Sequence, residues 1–275
     1  MPKMLIAANN IIHVSKVIGL VNIAGYTFST IFKTDKVTDL CGVGSFGIAT
    51  LSLARRTGAF SNIFKGGNLR LGIGLALTTL WSFRLSSFLF QRVLHLSGDK
   101  RLEKFFPKED EGWFDKTRAN FPLRLLTFWT IQFLWGNLTL MPLTLLASVP
   151  SVPMGAVGWL FFSSATTGFI IETIADYQKN SFKNNNPTKL CTVGLFSKSR
   201  FPNYFGEILF WSSMWLACSP ALSPTQIVIS SLSPVTVTGL LFFVSGIPLL
   251  EKKYKNTYGK EYEKWKKDTN LLIPL

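Results

Sequence analysis

Glu172, Asp176, Lys179 and Lys183 follow one another at helical spacing, which puts two carboxylates and then two amines along one face of a single helix. Carboxylates accept hydrogen bonds from ribose hydroxyls or a carboxamide, and amines further along the same face meet phosphate. The order therefore suits a bound dinucleotide. The plainer alternative is a surface helix laced with i, i+4 pairs. A second polar cluster, residues 194–207, reads Gly-Leu-Phe-Ser-Lys-Ser-Arg-Phe-Pro-Asn-Tyr-Phe-Gly-Glu. Pro202 fits the first turn of a helix, so a helix should begin there with its positive dipole end near Arg200, which makes an anion site. Asn203 and Glu207 are one turn apart and face the same way, as do Arg200 and Tyr204. Taken singly, Arg200 also reads as a snorkelling anchor and Tyr204 as part of an aromatic belt. A third polar segment holds Glu251 and Tyr254, then residues 258–265 and Ile273-Pro274; its alternating charge is that of an amphipathic surface helix. Gln132 stands alone in an apolar run, where its amide needs an interhelical partner or a substrate contact.

The elements that must carry these residues are set by the solvent. Hydrophobic residues make up 47% of the 275 and charged residues only 16%, which points to lipid as part of the surroundings. Apolar runs at residues 17–32, 40–53, 71–90, 125–146, 152–174, 208–222 and 227–250 predict an all-α integral membrane protein, a bundle of about seven transmembrane helices. The first, second and sixth runs are short enough to be re-entrant or interfacial. The N-terminal stretch lacks the form of a removable secretory signal, so its helix is expected to stay.

The formal charge of +14 would suggest nucleic acid in a soluble chain, but its distribution argues for a membrane. Loops assigned to alternate sides carry twenty-one Lys and Arg on one side and four (Lys3, Arg55, Arg56 and Lys65) on the other. The positive-inside rule then places the C-terminus in the cytosol and all three polar segments on the cytosolic face, beside anionic lipid heads. No nucleic-acid partner is expected.

Other motifs carry less. Residues 42–47 contain a literal GxGxxG, but no strand precedes it and no acidic residue follows at the required distance, so the glycines read as helix-packing notches. Gly72, Gly74, Gly155 and Gly158 read the same way. Asn137-Leu138-Thr139 is a sequon inside a span. His13 and His95 lack ligand spacing, and Cys41, Cys191 and Cys218 form no framework, so no metal site is expected.

The strings Gly194-Leu195-Phe196 and Ser199 through Glu207, with Tyr258, Tyr262 and Ile273-Pro274, resemble membrane proteins related to the C-terminal domain of steroid 5-alpha-reductases, in particular the DUF1295 family. Asp99-Lys100-Arg101, Trp113-Phe114-Asp115 and Phe128-Trp129-Thr130-Ile131-Gln132 look like the same branch. The likeness runs from about Leu71, dividing the chain into N-terminal transmembrane helices, residues 1–70, and a family domain, residues 71–275. It implies a cytosol-facing crevice for NADPH and reduction of a carbon–carbon double bond in a lipophilic sterol, enone or polyprenoid-like substrate, an oxidoreductase acting on CH–CH groups. By that likeness Asp176, Asn203 and Tyr254 would contact the cofactor, with the cations Lys179, Lys183 and Arg200 toward its phosphates. Tyr204, Gln132 and Glu207 are candidates for the catalytic side. The steroid enzymes have Asn where this chain has Glu172 and Arg where it has Lys183, and their N-terminal Gln-Glu substrate motif has no counterpart. The Arg-x-Pro-x-Tyr-x-Gly frame, with Gly259-Lys260-Glu261-Tyr262, also resembles isoprenylcysteine carboxyl methyltransferases, which use S-adenosylmethionine; Phe201 stands where they carry His. A lipid-binding protein without turnover is the third reading. The host membrane would be the endoplasmic reticulum of a eukaryote or the inner membrane of a bacterium.

Overall fold

The computed structural model describes residues 2–61, 68–94, 102–107, 112–115 and 120–274. Lys65, His95 and the Asp99-Lys100-Arg101 string lie outside them. Among the described residues the fold is helical without a strand: α1 Pro2–Ile31, α2 Thr38–Thr57, α3 Leu69–Leu94, α4 Leu123–Thr139, α5 Met141–Leu146, α6 Ala156–Asn185, α7 Pro202–Cys218, α8 Pro224–Ser230, α9 Leu232–Gly239, α10 Ile247–Tyr258 and α11 Lys260–Asp268.

Every apolar run read from the sequence falls mostly on helix, but two of them break inside. The run 125–146 divides at Leu140 because Pro142 has no N–H for the turn behind it, so α4 stops and α5 restarts with Pro142 in its first turn. The run 227–250 divides at Ser231, where Pro234 enters the first turn of α9, and again through a π-helical turn at Leu240–Val244. Among the described residues four stretches, Met4–Ile31, Leu69–Leu94, Ala156–Asn185 and Pro224–Tyr258, are long and apolar enough to cross a membrane. Their outer faces carry Leu20, Ile23, Leu80, Trp159, Leu160, Val228, Val235 and Phe243 in the open. Aqueous surfaces seldom tolerate apolar residues at that density, whereas lipid favours them.

The chain divides into two compact units, Met1–Pro153 with Ala221–Ser230 and Met154–Pro220 with Ser231–Leu275. In the first, polar groups meet in pairs across the helix seams, as polar residues must in an apolar medium. Asn10 Nδ2 donates to Ser148 Oγ at 3.1 Å, Ser15 Oγ to Asn137 Oδ1 at 2.5 Å, and Thr50 and Thr79 share a bond of 2.8 Å. The GxGxxG glycines sit inside α2 as packing surface. Gly42 lies against the Gln132 amide, and the Gly47 N–H donates to Ser82 Oγ at 2.8 Å. Gly155 is no notch: it stands in open space as the extended residue ahead of α6.

In the second unit α6 and α7 meet backbone to backbone. A Cβ on Gly168 would lie 2.6 Å from the Gly206 carbonyl oxygen, and one on Gly206 would lie 2.6 Å from both the Gly168 carbonyl oxygen and the Glu172 nitrogen. These neighbours are main chain and cannot rotate away. Gly168→Ala and Gly206→Ala are expected to force the helices apart at a cost of about 1–3 kcal/mol. Gly239→Ala, whose Cβ would meet nothing within 4 Å, is the neutral comparison. Thermal unfolding in detergent should show the first two melting several degrees below the wild type and the third unchanged or higher.

Candidate functional site

Because α6 runs unbroken for 30 residues, it carries Glu172, Asp176, Lys179 and Lys183 down one side, as their spacing required. Helix α7 starts at Pro202, as expected, and brings Asn203 and Glu207 to the glycine crossing. Asn203 Nδ2 donates to Asp176 Oδ1 at 3.3 Å across that crossing, and Glu172 is buried there.

Helix α10 supplies the third wall. Lys179 Nζ donates to the Tyr254 hydroxyl at 2.7 Å and lies over the Phe196 and Tyr254 rings, 5.6 and 5.5 Å from their centroids. One turn on, Lys183 Nζ donates to the Tyr258 hydroxyl at 2.6 Å and also to the carbonyls of Pro187 and Lys189. Phe201 stacks nearly parallel to Tyr204, at 5.5 Å and 8°, and to Tyr254, at 6.4 Å and 5°. Six of the nine residues proposed from sequence thus converge on one lattice of helices and rings: Asp176, Lys179, Lys183, Asn203, Tyr204 and Tyr254. Glu207 follows one turn along α7.

Arg200 and Gln132 have other immediate company. Arg200, buried, gives Nη1 to Glu251 Oε1 at 2.8 Å, and Lys266 takes the other carboxylate oxygen at 3.2 Å. Its Nε has no hydrogen-bond partner among the described residues. Gln132 belongs to the first unit, where Nε2 donates to the Thr38 carbonyl at 3.3 Å and holds α4 to the start of α2.

Sequence spacing missed what sets the loop ahead of α7. The Arg200 and Phe201 N–H groups donate to the carbonyls of Asn270 and Leu271 at 2.9 and 3.2 Å, and Trp265 Nε1 donates to the Phe196 carbonyl at 3.0 Å. Tyr262 and Trp265, one turn apart on α11, face inward onto this core. The apolar side of that helix therefore packs on protein, and only its charged side looks out. No local pattern pairs residue 200 with residue 270. An open groove of about 340 Å³, lined by Tyr177, Gln178, Ser181, Phe182 and residues 193–194 among others, is bordered by none of the nine candidates.

Burial, then the neighbouring Glu251 carboxylate, push the Tyr262 phenol above its ordinary value of 10.0. A raised folded value means that the group's contribution to stability is intact below pH 10 and is lost as pH climbs past it. Wild-type protein should therefore lose melting temperature between about pH 10 and 11.5 more steeply than Tyr262→Phe. At neutral pH, Glu251→Ala strands the Arg200 guanidinium and should cost about 2 kcal/mol in the same assay.

A family model described as a protein of unknown function, DUF1295, matches residues 25–269, beginning ahead of Leu71 and running through α1 to α11. No curated protein and no solved structure matches the chain. With nearly its whole length covered, the chain belongs to the DUF1295 family.

Proposed function

We propose that the protein is an NADPH-dependent membrane reductase of a carbon–carbon double bond in a lipophilic substrate. The observation that carries this reading is the contact between Asp176 and Asn203 at the glycine crossing, with Lys179 and Tyr254 alongside. A carboxylate that accepts and an amide that both donates and accepts are the groups that ribose hydroxyls and a carboxamide require. Phosphate would fall to Arg200, whose Nε is buried and has no hydrogen-bond partner among the described residues, and to Lys183. Both cations are otherwise held by the protein's own Glu251 and Tyr258, so an incoming phosphate replaces an internal contact rather than filling a void. The donor set fits the cofactor. When bound, the dihydronicotinamide supplies hydride to the double bond. The chain would orient it through Asp176 and Asn203, with Tyr204 and Glu207 as the candidates for the substrate side.

The likeness to the steroid 5-alpha-reductase domain supports the same assignment, at Asp176, Asn203 and the Asn-x-x-Gly-Glu frame. Helices α2, α4 and α7, of 20, 17 and 17 residues, complete seven spans with the four longest stretches. On that count the charge asymmetry would leave the outer end of α10, α11 and the C-terminus on the cytosolic side, where NADPH is available, and the substrate would reach the site from the bilayer.

Calorimetric titration of the purified protein in detergent should show saturable NADPH binding. Asp176→Ala and Asn203→Ala should each weaken it about tenfold or more, the loss of one hydrogen bond to a charged or ribose group, while the protein still unfolds cooperatively at a melting temperature lowered only by the lost interhelical bond. Saturable binding of S-adenosylmethionine with none of NADPH would replace reduction by methyl transfer. Binding of neither would leave a lipid-binding protein without turnover.

A further inference from the structure

Helix α6 has a second working side, opposite the one that carries Asp176 and Lys179. Its 30 residues reach about 45 Å at 1.5 Å each, half as long again as the ~30 Å of hydrocarbon that a span must cover. No charged residue of α6 precedes Glu172, so the apolar part belongs in the bilayer and the last turns stand among lipid headgroups. Ile170, Ile174, Tyr177, Ser181 and Asn185 follow at i, i+4 and i, i+3 steps and form one stripe, apolar, then aromatic, then polar. Ile170, Ile174 and Tyr177 are exposed. Along the polar end of the stripe runs the open groove of about 340 Å³, whose other wall is the loop at residues 193–194. Gly194, with φ +60°, brings that wall in: a Cβ there would lie 2.5 Å from Gln178 Cδ. Helix and loop are then held together, because the Leu195 N–H donates to Gln178 Oε1 at 2.9 Å.

The lining of this groove carries no charged side chain among the described residues. Lys179 and Lys183 belong to the opposite face, where Tyr254 and Tyr258 hold them. The Asn185 and Asn186 Nδ2 atoms donate to the carbonyls of Ser181 and Phe182 at 3.2 and 3.4 Å, which leaves both Oδ1 atoms to accept from a ligand. The Ser181 and Tyr177 hydroxyls add two groups that accept or donate. Such a set, rich in acceptors and without a cation, selects a neutral molecule with many hydroxyls over a phosphate. Phe182, packed on the core, and Tyr177 supply ring surface for the apolar side of that molecule. We propose that the groove holds the headgroup of a polyol lipid, in its simplest form a glycosyl diacylglycerol. The sugar lies among Tyr177, Ser181, Asn185 and Asn186, and the acyl chains run along Ile170 and Ile174. The volume stands at the low end of the roughly 300–1,000 Å³ of small-molecule sites, which suits a single ring. The acyl contact is what a soluble sugar lacks. This site is separate from the α6–α7 crossing and does not depend on the reductase reading.

Native mass spectrometry of the full-length protein tests this in a detergent whose own head is not a sugar, such as tetraethylene glycol octyl ether. Glucosyl diacylglycerol, diacylglycerol and phosphatidylglycerol with the same acyl chains are titrated in turn, and methyl glucoside is added as the soluble sugar. Wild-type protein should retain one glucosyl diacylglycerol about tenfold or more tightly than either other lipid, the worth of one or two hydrogen bonds to the ring. Tyr177→Ala, and Ser181→Ala combined with Asn185→Ala, should each lose most of that preference while still unfolding cooperatively. Asn184→Ala, exposed beside the groove and outside its lining, should keep it. Equal retention of glucosyl diacylglycerol and diacylglycerol, tighter retention of phosphatidylglycerol, or a preference that survives both groove variants overturns the assignment. Methyl glucoside bound as tightly as the lipid overturns the lipid source and leaves a soluble sugar as the occupant. NADPH affinity, read on the same preparations, should match wild type in every groove variant; its loss there would show that the two sites are not separate and would sink the assignment.

Discussion

The backbone contact between Gly168 and Gly206 is the constraint on which the second unit depends. Two helices whose axes are kept apart by side chains leave polar residues on their facing sides too distant to bond directly. Without a Cβ at either glycine, the main chains of α6 and α7 touch, and Asn203 reaches Asp176. Glu172 is buried by the same approach. In a lipid medium, where apolar side chains gain nothing by leaving one solvent for another, close packing and interhelical hydrogen bonds are what hold helices together. The crossing supplies both, and the polar residues it brings together are the ones that chemistry would use.

Around that crossing the unit satisfies its own charges before any ligand arrives. Glu251 is shared between Arg200 and Lys266, while Lys179 and Lys183 rest on tyrosine hydroxyls and aromatic faces. The Phe201 ring, parallel to those of Tyr204 and Tyr254, ties the start of α7 to α10, and the tail at residues 270–271 pins the loop ahead of it. A site built this way is preorganised. Each of these cations has a partner within the protein, and on the proposed reading a phosphate would have to displace a carboxylate or a phenol.

Much of this was legible in the sequence because the governing signals are local. Hydropathy marks the apolar helices, the absence of a breaker between Ile174 and Lys183 predicts the long extension of α6, and Pro202 announces α7. What spacing could not reveal is pairing at long range. Lys179 with Tyr254, Arg200 with Glu251, and residue 200 with residue 270 are set by how helices fold back on one another, not by period. Gly168 gave no sign because a glycine between Thr167 and Phe169 looks ordinary until its partner is known. Breaks inside apolar runs were missed for a related reason: Pro142 and Pro234 lie where hydropathy stays high, so the run hides the turn. Gln132 shows the reverse case, a polar residue in a span whose bond to Thr38 gives it an interhelical role.

Hydrogen–deuterium exchange with and without NADPH tests most directly whether the α6–α7 crossing is the cofactor site. Slowed exchange is predicted on addition of NADPH in peptides covering residues 172–183, 199–207 and 250–258, with α1 to α4 unaffected. Protection confined to other helices, or no change at saturating NADPH, would contradict the account.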